Sequence, residues 1–128
     1  MPNIRKKGAA AELEWLHRFQ PFFIPELKRN LEQTRSGGHD ITGCEPWVVE
    51  VKRVEDTCQG NKNSWWRQAR ASVKDYNTEI PVVSFRPSRK PWRFLVPVSL
   101  FGIESEEYAE ISEDVWLKLV FKFQPAPF

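Results

Sequence analysis

Short apolar runs at three places along the chain predict strands of a β-sheet. They are residues 47–52, 81–85 and 92–98, and all three are rich in β-branched and aromatic residues, as is typical of strands. Side chains alternate between the two faces of a strand. In the first run, Glu50 and Lys52 are therefore predicted to lie side by side on one face, opposite the face that carries Trp47, Val49 and Val51.

Two other stretches have the apolar spacing of amphipathic helices. The first is residues 8–20, in which i, i+3, i+4 and i+7 positions lie on one side of the predicted helix. This stripe consists of Ala9, Glu12, Leu13, Leu16 and Phe19. Glu14 is predicted on the opposite side of this helix. Residues 65–76 form the second predicted helix, with Ser64 as its N-cap. The packing stripe of the second helix is Trp65, Ala69, Val73 and Tyr76.

Two segments leave the choice of element open. Residues 27–34 fit either a helix or a polar edge strand, because two prolines interrupt the pattern just before them. Residues 112–123 alternate between apolar and polar positions as a strand does, yet the Ser-Glu-Asp at their beginning is typical of a helix start. Both alternatives stand for each segment.

The composition predicts one folded domain that spans residues 1–128. A hydrophobic content of 41% and an aromatic content of 13% argue against a disordered chain. No apolar stretch approaches the roughly 20 residues of a membrane span, and residues 1–7 lack the apolar core of a signal peptide. We therefore expect a cytoplasmic protein, including the case of a phage- or prophage-encoded protein that acts in the host cytoplasm. Cys44 and Cys58 lack metal-type spacing, and we expect reduced thiols rather than a disulfide.

The net charge of +2 conceals a separation of charge along the chain. Residues 104–114 carry six acidic side chains and no basic one, whereas residues 1–103 hold 17 of the 19 basic residues and 11 of the 17 acidic ones. Such asymmetry suits a polyanionic partner. The candidate phosphate contacts are Arg5-Lys6-Lys7, Arg35, the helical stripe Arg67, Arg70 and Lys74, and the hairpin tip Arg89-Lys90. The stripe would equally suit a solvated face, and the hairpin could simply keep a sheet edge soluble.

Asp40 adds a second carboxylate to the pair formed by Glu50 and Lys52. It lies in a glycine-rich stretch that can fold back towards the start of the strand. Two carboxylates suit a hard cation such as Mg²⁺, and a lysine beside them suits an anionic phosphate or an attacking water. These are the groups that a magnesium-dependent phosphodiesterase needs. A solvated strand face with a Glu–Lys pair would give the same Glu-x-Lys pattern.

Glu12 is a further candidate because it lies within an apolar helical stripe. A carboxylate on a buried face is costly unless it has a partner or a metal ion; the alternative is a glutamate at the edge of the stripe that reaches water. His39 precedes Asp40, but neither His39 nor His17 has a second histidine or a cysteine at metal-binding spacing. We therefore expect His39 to face water from its loop.

The order of these motifs resembles that of the PD-(D/E)xK nuclease superfamily, and within it the archaeal and phage-type Holliday junction resolvases. A basic segment and Gly8 open the helix of Glu12, and Ser36-Gly37-Gly38 precede Asp40; then come Val49-Glu50-Val51-Lys52, a helix with Gln68 and two strands. The resemblance covers roughly residues 5–100. His39 stands where the superfamily commonly has a proline, a departure that the superfamily tolerates. The acidic segment 104–114 and the tail have no assigned counterpart.

The resemblance implies a single nuclease domain with a restriction-endonuclease-like α/β core, in which helices flank a mixed central sheet. It implies that Asp40, Glu50 and the backbone carbonyl of Val51 bind the metal ion and that Glu12 completes the site. Lys52 corresponds to the catalytic lysine of the family. Ser36 corresponds to a loop serine that contributes to catalysis in some resolvases, and Gln68 to a helical glutamine that borders such sites.

We therefore expect a Mg²⁺-dependent endodeoxyribonuclease, with Mn²⁺ as a substitute, that acts as a Holliday junction resolvase on four-way DNA in recombination and repair. Two symmetric nicks require two sites, which predicts a homodimer. One alternative is another PD-(D/E)xK nuclease of restriction, replication or repair, acting on duplex, flap or single-stranded DNA. The other is a non-catalytic DNA-binding module or protein-interaction domain in which the carboxylates are structural.

Overall fold

A computed structural model describes residues 4–31, 39–54 and 61–123, with only the backbone described for residues 4–8. In these residues a six-stranded mixed sheet has its strands in chain order. The strands are β1 (Lys28–Arg29), β2 (Ile41–Thr42), β3 (Trp47–Val54), β4 (Ile80–Pro87), β5 (Arg93–Pro97) and β6 (Tyr108–Ser112). The helices are α1 (Ile4–Phe19), α2 (Lys62–Ala71) and α3 (Glu113–Phe123). The fold is therefore α/β, with a mixed sheet flanked by helices, as the sequence predicts.

The two faces of the sheet are covered by different helices. On one face, Trp15 of α1 and Trp116 of α3 are both fully buried against strand residues such as Val49 and Phe94. The rings of Trp116 and Phe94 stack with their centroids 4.3 Å apart. On the other face, Trp66 and Ala69 of α2 pack against β4 and β5. The larger aromatic cluster thus lies beneath α1 and α3, and it contains most of the buried apolar residues.

The strands β3 and β4 are parallel, and the other neighbouring pairs are antiparallel. A parallel pair needs a crossover connection, and α2 lies in this connection. The crossover places α2 over β3 and β4 on the face where Glu50 and Lys52 are predicted. None of the described helices is long and apolar enough to cross a membrane.

The buried side of α1 differs from the predicted stripe. Trp15 is fully buried, where its Nε1 donates a hydrogen bond to Ser84 Oγ (3.0 Å), whereas Leu13 is 54% exposed. The large indole ring fills the core better than leucine does, and this rotates the helix. Glu12 remains buried in the new orientation. Glu14 does not lie on the far side of the helix as predicted, since it is half-buried and pairs with Arg86.

The second helix begins and ends earlier than the sequence predicts. α2 runs from Lys62 to Ala71 with Asn61 at its N-cap position, rather than over residues 65–76 with Ser64 as the cap. Trp66 is buried in place of the predicted Trp65, which is half-buried. Tyr76 lies beyond the helix and is 58% exposed.

The two ambiguous segments are resolved by packing. β1 is a two-residue edge strand, which agrees with the edge-strand alternative for residues 27–34 as far as residue 31. Glu113–Phe123 is a helix, because Trp116, Leu119 and Val120 are buried at helical spacing and Ser112 Oγ accepts a hydrogen bond from the Val115 N–H.

The core extends past residue 100, the limit set by the family resemblance. Within the acidic segment, Tyr108–Ser112 form β6, which pairs with β5 along its full length. Sequence patterning misses this strand because its side chains are only partly buried. α3 then contributes the central tryptophan of the larger cluster. The segment after residue 103 is therefore part of the folded core as far as Phe123.

Candidate metal site

The register between β2 and β3 brings Asp40 next to Glu50. Ile41 pairs with Val49 in this antiparallel hairpin, so the next residues along the two strands, Asp40 and Glu50, face each other. The backbone N–H of Asp40 donates to the carbonyl of Val49 (2.8 Å), and the neighbouring Ile41 is fully buried. Two carboxyl groups that are distant in sequence are thereby held together.

Gly43 allows the sharp turn that follows β2. Its φ angle of +95° lies in the left-handed region that side chains disfavour. A Cβ atom at this position would also lie 2.7 Å from the carbonyl oxygen of Glu26, just before β1. Glycine therefore lets β1 and β2 lie close together, and β2 positions Asp40.

Each of the two carboxyl groups has a fixed partner as well as the other carboxyl. Asp40 Oδ2 accepts a hydrogen bond from the backbone N–H of Val51 (2.7 Å), and Glu50 Oε1 accepts one from Ser72 Oγ (2.9 Å). In its protonated form, Glu50 also donates a hydrogen bond to Asp40. Their exposed fractions are 9% for Asp40 and 2% for Glu50. The pair is thus preorganised and largely removed from water.

Burial gives both carboxyl groups a raised pKa. Loss of hydration and, after it, the adjacent charge of Asp40 together raise the pKa of Glu50 to about 8. Loss of hydration likewise raises the pKa of Asp40 to about 6, partly offset by the hydrogen bond from Val51. Two buried carboxyls in contact therefore retain a proton near neutral pH, and full ionisation requires a compensating positive charge.

Lys52 lies on the same face of β3 as Glu50, as the strand alternation predicts, and contacts α2. Its Nζ donates a hydrogen bond to Gln68 Oε1 (2.7 Å). Ser72 and Gln68 are four residues apart on one side of the helical chain, while Glu50 and Lys52 are two residues apart on the strand. The two spacings match, so the end of α2 holds the side chains of both Glu50 and Lys52.

Glu12 lies near Asp40, on the opposite side of the hairpin from α2. Its Oε2 accepts a hydrogen bond from Arg29 Nε of β1 (2.8 Å), and its negative charge contributes to the raised pKa of Asp40. Arg29 is thus the partner that a buried carboxylate requires.

The donor set fits a magnesium ion. In the residues that the structure describes, no three or more histidine, cysteine, aspartate or glutamate side chains are grouped so as to hold a metal ion. Asp40 and Glu50 form a pair, and the N–H and C=O of a strand residue point to the same side, so the Val51 carbonyl faces the side of Asp40. Mg²⁺ uses one or two carboxylates and keeps water and phosphate oxygens as its other ligands. Two carboxylates and one backbone carbonyl are hard oxygen donors, and their number matches the protein ligands that such an ion uses.

Not all of the other predicted residues can be located in the described part of the chain. Ser36, Arg35 and Cys58 lie outside the described residues. The segment Arg5-Lys6-Lys7 lies at the start of α1, where only the backbone is described. Four other basic residues are exposed: Arg67, Lys74, Arg89 and Lys90.

Arg70 and the remaining singled-out side chains have local surroundings of their own. Arg70 Nη1 donates to the backbone oxygen of Glu106 (2.9 Å). His39 is half-buried, while His17 is exposed. Cys44 is a buried free cysteine, and burial raises the pKa of its thiol.

Several residues around the site are absent from the sequence prediction. Ser72 holds Glu50, and Arg29 holds Glu12. The four-residue spacing between Gln68 and Ser72 is the signal in the sequence that could identify Ser72. Arg53 and Arg86 line a cavity of about 790 Å³ that also includes Lys52 and Arg89. Glu14 lies in the same cavity and pairs with both arginines. Only the packing of α1 against β3 and β4 brings these charges together.

Without divalent cations, the protein should become less stable as the pH rises from about 4.5 to about 8, the interval between the ordinary and the raised pKa of Glu50. Through this interval the folded protein holds a proton that the unfolded chain has released. A rising pH therefore favours the unfolded chain, and the free energy of unfolding falls. One pKa unit corresponds to about 1.4 kcal/mol, and we expect a loss of at least about that size.

Urea unfolding in EDTA at about pH 5, 6.5 and 8 measures this effect, with Glu50→Gln as the comparison that isolates it from other titrating groups. The variant should show a smaller loss of stability than the wild type. Adding Mg²⁺ should stabilise the wild type most at the highest pH, because the ion binds the unprotonated carboxylates. Parallel pH profiles for the two proteins would contradict the shared-proton pair.

No protein-family model matches the sequence, no curated protein is significantly similar to it, and no solved structure is significantly similar to its fold. The features of this chain that bear on its function are therefore its motif residues and the geometry that brings Asp40, Glu50 and Lys52 together.

Proposed function

We propose that this protein is a Mg²⁺-dependent endonuclease with a restriction-endonuclease-like core, which hydrolyses DNA phosphodiester bonds and resolves four-way junctions. One observation carries the proposal: the carboxyl groups of Asp40 and Glu50 are in contact, and Lys52 follows on the same strand face as Glu50. A purely structural Glu–Lys pair would not need a second buried carboxyl beside it, because that carboxyl raises the electrostatic cost.

Each of these side chains has a defined part in the proposed reaction. Asp40, Glu50 and the Val51 carbonyl would hold the cation, which when bound would supply Lewis-acid polarisation of the phosphate and activation of a water. The Asp40 carboxylate is oriented by the Val51 N–H, and Glu50 by Ser72. Fixed ligands of this kind lower the cost of reorganisation when charge develops on the phosphate.

Lys52 neutralises the charge that develops on the phosphate, or orients the attacking water. Its hydrogen bond to Gln68 holds the long side chain in one place, which reduces the entropy lost when substrate binds. Glu12 binds the water shell of the site from the α1 side, while Arg29 keeps its carboxylate aligned.

The basic cavity next to Lys52 supports nucleic acid as the substrate. Lys52, Arg53, Arg86 and Arg89 line this space of about 790 Å³, at the end of β3 and β4. Glu14 bridges Arg53 and Arg86, so the arginines are held in position before DNA arrives. Cations at fixed positions beside a metal site suit the phosphates that flank the bond to be cut.

A homodimer is part of the proposal because a four-way junction is resolved by two symmetric cuts. One copy of the chain offers one Asp40–Glu50 pair, and a two-fold axis would supply the second. The separate basic surfaces of the two copies would then contact different DNA arms.

The test is a cleavage assay with four labelled substrates of the same sequence: a four-way junction, a linear duplex, a flap and a single strand. We expect cleavage with Mg²⁺ or Mn²⁺, none in EDTA, and preference for the junction with paired nicks across its branch point. Preference for another substrate would assign the protein to restriction, replication or repair instead. DNA binding without cleavage under any of these conditions would indicate a non-catalytic DNA-binding module.

Neutralising Arg89 and Lys90 together should weaken junction binding and flatten its dependence on salt. Both residues are exposed on the β4–β5 hairpin, and each lost phosphate contact removes about 0.9 from the slope of log affinity against log salt. The measurement is a gel-shift titration at several salt concentrations, with cleavage blocked by Ca²⁺.

The matched control is the pair Lys118→Gln and Lys122→Gln on α3, which changes the net charge equally. This control should leave the salt slope unchanged. Equal effects from both pairs would mean that overall charge, rather than the hairpin, attracts DNA. Equal binding of junction and linear duplex throughout the series would contradict the preference for junctions.

A further inference from the structure

A second cavity opens beside the metal site, on the α2 face of the sheet. It has a volume of about 500 Å³, within the range of ligand pockets. Val54 lines it, two residues beyond Lys52 on the same strand face, which at about 3.3 Å per residue is roughly 7 Å away. Trp65 also lines it, about one helical turn before Gln68. The cavity therefore continues the row of side chains that starts with Glu50 and Lys52.

The walls of this cavity are aromatic and apolar. Trp65 is half-buried, and its ring centroid lies 5.5 Å from that of Phe85. Trp92, Pro87 and Pro91 complete the apolar lining. Flat rings at the side of a cavity offer stacking surface for a planar ligand, and such stacking tolerates any base because every base has a π-face.

Most of the charged residues of the lining are held in ion pairs. Three of them are acidic, Glu110, Glu113 and Asp114, and each pairs with a basic side chain. A carboxylate oxygen has more than one lone pair, so these groups can still accept hydrogen bonds from the N–H groups of a base. Lys62 Nζ pairs with Glu110 Oε1 (2.6 Å) within the cavity wall. Lys62 Nζ also lies 5.3 Å from the centre of the Phe85 ring, so the ammonium group makes a cation–π contact with the aromatic wall. Lys90 also lines the cavity and is exposed, so its charge suits a neighbouring phosphate.

We propose that this cavity binds one unstacked nucleobase of the DNA strand that is cut, adjacent to the scissile phosphate. The inference rests on the proposed nuclease function and adds the way in which the strand is held. A base at a branch point is already partly unstacked, so moving it into the cavity costs less free energy than removing a base from a continuous duplex. A base held in the cavity would fix the neighbouring phosphate over Lys52 and favour branched over continuous DNA.

The test is a double-mutant cycle between Trp65 and single bases of the DNA. Full-length Asp40→Asn protein, which does not cleave, binds a set of four-way junctions that each carry one abasic position near the branch point. Trp65→Leu should weaken binding of the intact junction by about 5- to 150-fold, as expected for loss of one stacked base. At one abasic position, the same change should have little further effect. Trp65→Phe should largely restore binding, and Tyr76→Leu, an exposed aromatic outside the cavity, should have no such coupling.

A second measurement does not depend on any change at Trp65. Junctions with 5-iodocytosine at successive positions are irradiated with the Asp40→Asn protein, and the crosslinked peptides are identified by mass spectrometry. We expect a crosslink to Trp65, Phe85 or Trp92 from the position identified by the cycle. Normal junction binding with no coupling at any position and crosslinks elsewhere would overturn the base pocket, while Mg²⁺-dependent cleavage by the wild type would leave the nuclease proposal intact. Failure to bind any DNA would overturn both.

Discussion

Asp40→Asn and Glu50→Gln should each abolish Mg²⁺-dependent cleavage while the fold and DNA binding are retained. Each change keeps the shape of the side chain but removes the negative oxygen that a hard cation requires. Glu50 should also become easier to bury, because an amide needs no proton to be neutral in a site that raises the pKa of the acid to about 8. Removal of one negative charge beside the DNA can tighten binding.

Three readouts separate the roles of these residues. Cleavage of labelled junction gives activity, a gel shift in Ca²⁺ gives DNA binding, and calorimetric titration with Mn²⁺ gives metal affinity without any turnover. Glu107→Gln, at an exposed glutamate far from the pair in sequence, is the matched control and should behave as the wild type. Near wild-type cleavage by either variant would remove its carboxylate from the catalytic site and with it the observation that carries the proposed function.

Glu12→Gln should lower cleavage by about 100-fold or more, the size expected for a positioned catalytic group. The carboxylate is buried and its charge acts on Asp40, so its loss should alter the water and ion arrangement around the pair. The folded protein should remain, since glutamine has nearly the same volume and can still accept a hydrogen bond from Arg29.

Arg29→Gln is the decisive comparison for Glu12, because it removes the same ion pair and leaves the carboxylate in place. A catalytic Glu12 predicts that Glu12→Gln is much the more severe change in cleavage. Arg29→Gln should be the more destabilising of the two, because it takes this ion pair away from a buried carboxylate. Equal losses of activity would show that Glu12 acts through its ion pair alone. Glu14→Gln is unsuitable as a silent control, since Glu14 pairs with Arg86 and Arg53 in the basic cavity.

The sequence by itself determined the elements whose pattern is local and strong. Alternation in the run of valines around Glu50 predicts a buried strand and the shared face of Glu50 and Lys52, and the structure confirms both. The strands on either side of Arg89-Lys90 are also confirmed. Such features depend on neighbouring residues in one strand, where the period of two decides which way each side chain points.

The tertiary structure decided the features that depend on partners distant in sequence. The orientation of α1 follows from the choice of Trp15 over Leu13 as the core residue, and periodicity cannot rank two apolar residues by how well they fill a particular space. The side chains of β6 are only partly buried, and the strand lies within the acidic segment 104–114, so no local hydrophobic pattern predicts its pairing with β5.

The same distinction applies within the site. Chemistry alone identifies Glu12, Glu50 and Lys52 as candidates, whereas the side chains that hold them come from two other elements, α2 and β1. Ser72 and Gln68 reach the strand because α2 crosses between two parallel strands, and Arg29 reaches Glu12 because β1 is an edge strand beside β2. A hydrogen-bond partner can come from any point of the chain that packing brings within about 3 Å, and so only the assembled sheet and helices determine how the carboxyl groups are held.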